Sequence, residues 1–188
     1  MGPTKHTFLQ SAVNKNRLEF LFDGIFAIAM TILVLELKVP ELTDRKSVVE
    51  LGQLLFHHGA TFFSYILSFI MLGILWYSHN QYFRYIQRIT ISIFIFHIVQ
   101  LALAAFFPFC AALFGRYPTN QLSLIIYFGC IMFFQWSILI QWLLAKRQGA
   151  LIPRMDLSIY YKFKKGFFVG SIVCSYFFLQ YLFLMLIR

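Results

Sequence analysis

Long apolar runs, separated by short polar and basic segments, dominate the chain. A helix that crosses the hydrocarbon core of a bilayer needs about 20 predominantly apolar residues. Runs of that length lie at about residues 18–39, 51–77, 89–114, 122–145 and 166–187. They predict helices, because the strands of a membrane barrel alternate apolar and polar residues. The pattern therefore predicts an all-α, polytopic membrane helical bundle with five spans, which forms a single domain over residues 1–188.

The composition supports a membrane protein and excludes several soluble classes. The chain is 60% hydrophobic and only 12% charged, whereas about 25% of the residues in a soluble domain are charged. The net charge of +9 would indicate a nucleic-acid partner only if the basic residues formed a patch on a soluble fold. They lie between the apolar runs instead, so we expect no nucleic-acid binding. The cysteines lie inside apolar runs without metal-ligand spacing, so we expect neither a metal nor another cofactor.

The basic residues are distributed unequally between alternate loops. If the N-terminus is cytoplasmic, most of the 16 Lys and Arg residues fall on the cytoplasmic side. This is the bias that the positive-inside rule describes. We therefore expect an integral membrane protein with a cytoplasmic N-terminus, surrounded by membrane lipid.

The first span begins with ionisable residues. Placing a charged side chain at the centre of a bilayer costs about 2.5–3.5 kcal/mol of free energy even on the insertion scale that gives the lowest values. Arg17 and Glu19 are explained equally well by a paired role and by snorkelling of their charged groups to the headgroups. Asp23 lies one turn deeper in the span. We therefore expect Asp23 to be buried and paired.

An apolar stripe with a single hydroxyl follows along the same helix. Ile28, Thr31, Ile32 and Leu35 have the spacing i, i+3, i+4, i+7, so they share one helix face. The spacing alone favours an ordinary packing or lipid-facing stripe. Apolar stripes are common in membrane spans, and a threonine hydroxyl can bond a carbonyl of its own helix.

The second span ends with a group of polar residues. Trp76, His79 and Asn80 fall at the same predicted depth as Arg17 and Asp23. We predict that these five residues form a polar network in which Asp23 accepts hydrogen bonds from the indole and the imidazole. Such bonds would lower the cost of burying the carboxylate.

The two groups of residues together resemble the first two helices of the transmembrane protein 175 family, which comprises lysosomal and prokaryotic potassium channels. The matching residues are Arg17, Asp23, Gly24, Phe26, Ala27, Thr31, Glu36, Trp76, His79, Asn80 and Phe83. The resemblance covers at least the first 115 residues. The chain departs from the family at Phe22, where the family has Ser, and in its five visible spans, where the family has six helices per repeat.

The resemblance implies a prokaryotic single-repeat member that assembles as a homotetramer in a bacterial inner membrane. The first helices would surround a central pore that conducts potassium ions passively. On this chain the pore stripe would be Ile28, Thr31, Ile32 and Leu35. Ile28 and Leu35 would form hydrophobic rings, Thr31 would confer potassium preference, and Glu36 would be an acid at the pore mouth. No TVGYG-like segment is present to build a carbonyl filter.

The same resemblance gives the polar network a structural role. Arg17, Asp23, Trp76, His79 and Asn80 would hold the cytoplasmic end of the pore helix in place, without binding ions.

Three other functions are weighed against the potassium channel. A proton-conducting channel of the same architecture is the nearest alternative, because protons can pass a tight hydrophobic constriction more readily than metal ions can. A secondary transporter would need broken helices, for which only Pro108 is a candidate. An enzyme is not expected, because His57, His58 and His97 lack the partners of a catalytic site.

Overall fold

The computed structural model describes residues 14–44, 46–153 and 156–186, and almost all of this part is helical. The helices are α1 (Lys15–Ile32), α2 (Val48–His57), α3 (Gly59–Phe83), α4 (Ile91–Arg116), α5 (Gln121–Arg147) and α6 (Leu157–Leu186), and a 3-10 segment (Leu33–Glu36) continues α1. All of them except α2 are long and apolar enough to cross a membrane, which gives five spans in the described residues. The predicted all-α membrane bundle is confirmed.

Side-chain caps fix where several helices begin. The side-chain oxygen of each capping residue accepts a backbone N–H from the first turn of its helix. Such caps each contribute about 1 kcal/mol to helix stability. The capping residues are Asn14 for α1, Ser47 for α2, Thr90 for α4 and Asn120 for α5.

The second span lies further along the chain than the prediction of residues 51–77. The apolar run is divided at His58, where the backbone leaves the α-helical region with a ψ of 9°. The His58 N–H donates to the Leu54 carbonyl oxygen at 3.1 Å, and the ring Nδ1 lies 2.7 Å from the same oxygen. Helix α2 ends at His57, and the membrane-spanning helix is Gly59–Phe83. Hydropathy does not reveal this break, because apolar residues flank both histidines.

The fifth span is longer than predicted. Helix α6 begins at Leu157 rather than at residue 166, because helical structure continues through a basic segment that hydropathy excludes. Residue 187, the last residue of the predicted span, lies outside the described residues.

The helices pack in a bundle with two distinct ends. Helix α5 packs between α4 and α6, while α1 packs against α4 and α3. Helices α1, α4 and α6 begin at one end, where the Lys15 ammonium donates to the Arg84 carbonyl oxygen at 3.1 Å and the Gln87 N–H donates to the Ala150 carbonyl oxygen at 2.7 Å. We call this the basic end. The opposite end, where α4 meets the 3-10 segment, is the outer end.

Helix α4 runs without interruption through Pro108. A proline in a helix interior removes one backbone hydrogen bond and usually kinks or breaks the helix. Here Pro108 is buried within α4. The residue singled out as a candidate transporter break therefore lies inside a continuous helix.

Candidate functional site

Helix α1 has two apolar faces, and the subunit covers only one of them. Leu18, Phe22, Phe26, Ala29 and Leu33 are buried against the bundle. The predicted pore stripe lies on the other face. Its four members are all exposed: Ile28, Thr31, Ile32 and Leu35. Helix α1 therefore presents an uncovered apolar face with one hydroxyl, that of Thr31, in the outer half of the span.

The Thr31 hydroxyl is held in a fixed orientation. Its Oγ1 donates to the Ile28 carbonyl oxygen at 2.8 Å. A hydroxyl has one hydrogen but two acceptor lone pairs. The oxygen of Thr31 therefore keeps its capacity to bind a cation. Immediately beyond it α1 tightens into the 3-10 segment, a change within a helix that often marks a functional hinge.

A hydrogen bond connects α1 to α3 near the basic end. The indole Nε1 of Trp76 donates to Asp23 Oδ1 at 2.7 Å, as predicted. Asp23 is exposed in the subunit rather than buried, so the expectation of a buried carboxylate is corrected. The pair lies at the surface of the bundle, where Trp76 is itself 38% exposed.

The predicted hydrogen bond from His79 to Asp23 is not found. The His79 ring is buried and stacks on Phe22 and Phe83, with centroid distances of 3.5 and 4.8 Å. Neither of its ring nitrogens has a hydrogen-bond partner among the described residues. Phe22 stands where the resembling family has Ser, and an apolar ring stacks on the imidazole but cannot accept its N–H. His79 therefore packs in an aromatic cluster apart from the Asp23–Trp76 pair.

The other two members of the predicted network also lie apart from that pair. Arg17 is exposed and makes no ion pair within the described ranges. Glu19 pairs with Lys15 at 3.6 Å, one turn away on the same helix. Asn80 is half-buried next to His79. Of the predicted polar network, the structure brings only Asp23 and Trp76 into hydrogen-bond contact.

His97 is a contact of α1 that the sequence pattern does not reveal. Its Nε2 donates to the Leu18 carbonyl oxygen at 3.2 Å, and its ring centroid lies 5.2 Å from that of His79. The side chain is fully buried. The sequence favoured an isolated histidine on an apolar helix. Gln100, three residues later on the same face of α4, indicates a polar position there but not the contact with Leu18.

Behind the two histidines, a buried hydrogen-bond network joins α3, α4 and α5. The Tyr82 hydroxyl donates to the side-chain oxygen of Gln141 and lies 3.2 Å from that of Gln100. Gln100 Nε2 donates to Gln141 Oε1 at 3.0 Å. Gln141 Nε2 donates to the Ile93 carbonyl oxygen at 2.8 Å. This network holds α3, α4 and α5 together, and α1 packs against the first two of these helices.

Glu36 lies at the outer end and faces its own subunit. Its Oε2 is 4.0 Å from Arg116 Nη2, and both side chains are partly exposed. Glu36 also lines a cavity of about 410 Å³ with His57, His58 and Arg116. An exposed ion pair contributes about 0–1 kcal/mol. Arg116 therefore offsets part of the negative charge that the family resemblance assigned to a pore mouth.

Comparison with known proteins places these residues in one family. The family model described as endosomal/lysosomal potassium channel TMEM175 matches residues 17–108, which include most of α1, the Asp23–Trp76 pair and both buried histidines. Over these residues, about half of its length, the chain is similar to the TMEM175 family.

Individual relatives match different shares of this chain. A potassium channel of Streptomyces collinus is 27% identical over 83% of this chain and 77% of its own length. A potassium channel of Chamaesiphon minutus is 31% identical over 62% of this chain and 58% of its own. The endosomal/lysosomal proton channel TMEM175 of Rattus norvegicus is 30% identical over 74% of this chain, which spans only 30% of that protein.

The fold is shared with a solved structure. The crystal structure of a lysosomal potassium-selective channel TMEM175 homolog from Chamaesiphon minutus superposes with a TM-score of 0.70. It is 24% identical, and the match covers 90% of this chain and 89% of that one. The likeness establishes the TMEM175 channel fold, and with the apolar spans it makes this chain an integral membrane protein.

The bond between Trp76 and Asp23 is testable by substitution. Trp76→Phe removes the indole donor and leaves a ring. We expect the unfolding free energy to fall by about 1–2 kcal/mol, because a hydrogen bond to a charged group is worth more than a neutral one, but this pair is exposed rather than buried. Thermal unfolding of the purified protein in detergent measures the change.

A matched control is available on α5. Trp136 Nε1 donates to the neutral Ser175 hydroxyl at 3.0 Å. The Trp136→Phe variant is therefore expected to be less destabilised than the Trp76→Phe variant. Equal losses in the two variants would show that the Asp23 contact adds nothing beyond an ordinary indole bond.

Proposed function

We propose that this chain is a subunit of a potassium-conducting cation channel whose pore is lined by α1. One observation carries this proposal. Helix α1 buries one face in its own subunit and leaves the opposite face, which carries Thr31, uncovered. Four copies around a central axis would cover that face and enclose a path through the membrane. The prokaryotic relatives, which are named potassium channels, and the solved channel homolog support an oligomeric channel, and the homotetramer follows from the family resemblance.

The stripe supplies both a barrier and a ligand for a cation. Ile28 lies three residues from Thr31, about 4.5 Å along the α-helix. Leu35 lies four residues away in the 3-10 segment, where the larger rise per residue puts it about 7 Å along the axis. Rings of these side chains would narrow the path and favour its dewetting. Ile32 adds apolar surface beside the Thr31 ring. A ring of hydroxyl oxygens next to the constriction would replace part of the hydration shell of a dehydrating potassium ion.

The charges indicate how the subunit sits in the membrane. Lys15, Arg84, Arg88, Lys146 and Arg147 all lie at the basic end. By the positive-inside rule this end faces the cytoplasm, so the N-terminus is cytoplasmic in a bacterial inner membrane. Glu36 then lies at the external mouth. It would attract cations weakly, because Arg116 stands 4.0 Å away and salt screens exposed charges.

A proton-conducting channel is the second candidate. The observation in its favour is the match to the rat TMEM175 protein, which is named a proton channel. Both candidates share α1 as the pore helix. They differ in whether a dehydrated metal ion passes the rings of Ile28 and Leu35.

Reversal potentials in planar bilayers distinguish the two. The purified protein is reconstituted under a potassium gradient at equal pH, and separately under a pH gradient at equal potassium concentration. For a potassium channel we expect the reversal potential to shift by nearly 59 mV, about the ideal value, per tenfold potassium gradient. It should respond little to pH. A potential that follows the pH gradient alone would select the proton channel, and the absence of any current from a folded oligomer would contradict both candidates.

A further inference from the structure

Helix α6 is longer than the membrane is thick. Its 30 residues span about 45 Å, whereas the hydrocarbon core is about 30 Å thick. The unbroken apolar part begins at Gly166, so the helix projects beyond the core at the basic end. The charged residues of α6 all lie in this projecting part: Lys162, Lys164 and Lys165.

The lysines point away from the rest of the bundle. Helix α6 packs on α5, and its buried residues Tyr160, Phe167 and Ser171 form the contact face. All three lysines are exposed, and so are Tyr161 and Phe168. Tyr161, Lys164, Lys165 and Phe168 follow the spacing i, i+3, i+4, i+7 and share one face. We call Tyr161, Lys162, Lys164, Lys165 and Phe168 the α6 basic face.

The protein offers these ammonium groups no counter-ion within the described ranges. The two ion pairs there are Lys15–Glu19 and Glu36–Arg116, and α6 itself contains no acid. The adjacent acid, Asp156, accepts hydrogen bonds from the backbone N–H and the hydroxyl of Ser158 at 3.0 and 2.8 Å. These bonds lower the pKa of Asp156 and occupy its carboxylate.

A further positive charge lies on the neighbouring helix. The Lys146 ammonium stands over the rings of Tyr160 and Tyr161, 3.9 and 5.3 Å from their centroids. A cation over the face of a tyrosine ring is attracted to it. Lys146 is thereby held at the edge of the α6 basic face and adds to its positive potential.

We propose that the α6 basic face binds the headgroup phosphate of anionic phospholipids in the leaflet at the basic end. Lys164 and Lys165 directly precede the apolar run, which puts their ammonium groups at headgroup depth. Phe168 lies one turn further into the membrane, among acyl chains, while Tyr161 lies one turn outside, in the interface where aromatic rings collect. A zwitterionic lipid binds less well, because its own ammonium group repels the lysines.

Native mass spectrometry with defined lipids tests this site. The purified protein is mixed with equal amounts of phosphatidylglycerol and phosphatidylcholine that carry the same acyl chains. We expect at least about fivefold more phosphatidylglycerol to be retained, since each lysine near an anionic surface raises the affinity about fivefold. The preference should fall as salt is raised. The measurement needs no ion conduction, so its failure leaves the proposed channel function untouched.

Lysine variants distinguish lipid binding at the α6 basic face from a general attraction of the basic protein to anionic lipid. The triple variant Lys162→Gln, Lys164→Gln, Lys165→Gln is expected to lose the preference, while Lys38→Gln with Lys46→Gln, at the outer end, retains it. Replacing the three lysines by Arg should keep the preference. That result would show that the loss in the Gln variant comes from the missing charges and not from a folding defect. An unchanged preference in the Gln triple, or none in the unmodified protein, would overturn the proposal. Displacement of the lipid by millimolar inorganic phosphate would also overturn it, because the face would then be a phosphate site and not a lipid site.

Discussion

Replacing Thr31 by Val is expected to lower the potassium-to-sodium permeability ratio about tenfold, equivalent to roughly 1.4 kcal/mol of discrimination. Valine keeps the shape of threonine but removes the oxygen that would bind a dehydrated cation. The fold should remain intact, because the Thr31 hydroxyl is exposed and bonds only the Ile28 carbonyl of its own helix. Reversal potentials under bi-ionic potassium and sodium conditions measure the ratio.

A conservative variant distinguishes chemistry from shape at this position. Thr31→Ser keeps the hydroxyl and its bond to Ile28 but removes a methyl group. We expect its permeability ratio to stay within about twofold of the unmodified channel, a free-energy difference of roughly 0.4 kcal/mol. If Thr31→Val kept full discrimination while the channel still conducted, the hydroxyl ring would not be the selective element.

Replacing Gln141 by Leu is expected to reduce the unfolding free energy by about 2–3 kcal/mol, the cost of leaving several buried polar groups unpaired. The Gln141 side chain bonds Tyr82, Gln100 and the Ile93 carbonyl. Leucine fills similar volume but satisfies none of them. Networks of this kind are sensitive to the loss of one member in a low-dielectric interior. Thermal or denaturant unfolding in detergent measures the loss.

Gln135 gives a matched control on the same helix. Its side chain is half-buried, and its Oε1 has no hydrogen-bond partner among the described residues. Gln135→Leu is therefore expected to change the unfolding free energy by less than about 1 kcal/mol. Equal destabilisation by the two substitutions would mean that the Tyr82–Gln100–Gln141 network contributes no more than ordinary packing.

The helices and the stripe on α1 could be predicted from sequence for a definite reason. Membrane-spanning helices follow from the apolar content of about 20 consecutive residues. The stripe of Ile28, Thr31, Ile32 and Leu35 follows from the helical period. Both properties depend only on residues within one segment. The break at His58 escaped prediction, because it depends on backbone geometry inside an apolar run.

The membership of the polar network depended on the tertiary structure. Trp76 meets Asp23 across 53 positions of sequence, and His97 meets Leu18 across 79. His79, which has the same predicted depth as Asp23, turns to Phe22 instead. Membrane depth can be read from position in a span, but which side chains touch depends on how each helix is rotated against its neighbours.

The sequence by itself determined the membrane class, the number of spans in the described chain, and the face of α1 that carries Thr31, because hydropathy and helical periodicity are local properties. Only the tertiary structure decided that this face is uncovered while the opposite face is buried. It also decided that Glu36 faces Arg116 and that the lysines of α6 lie away from the bundle. These features arise from packing between segments distant in sequence, where burial of complementary apolar faces selects one helix rotation over the others.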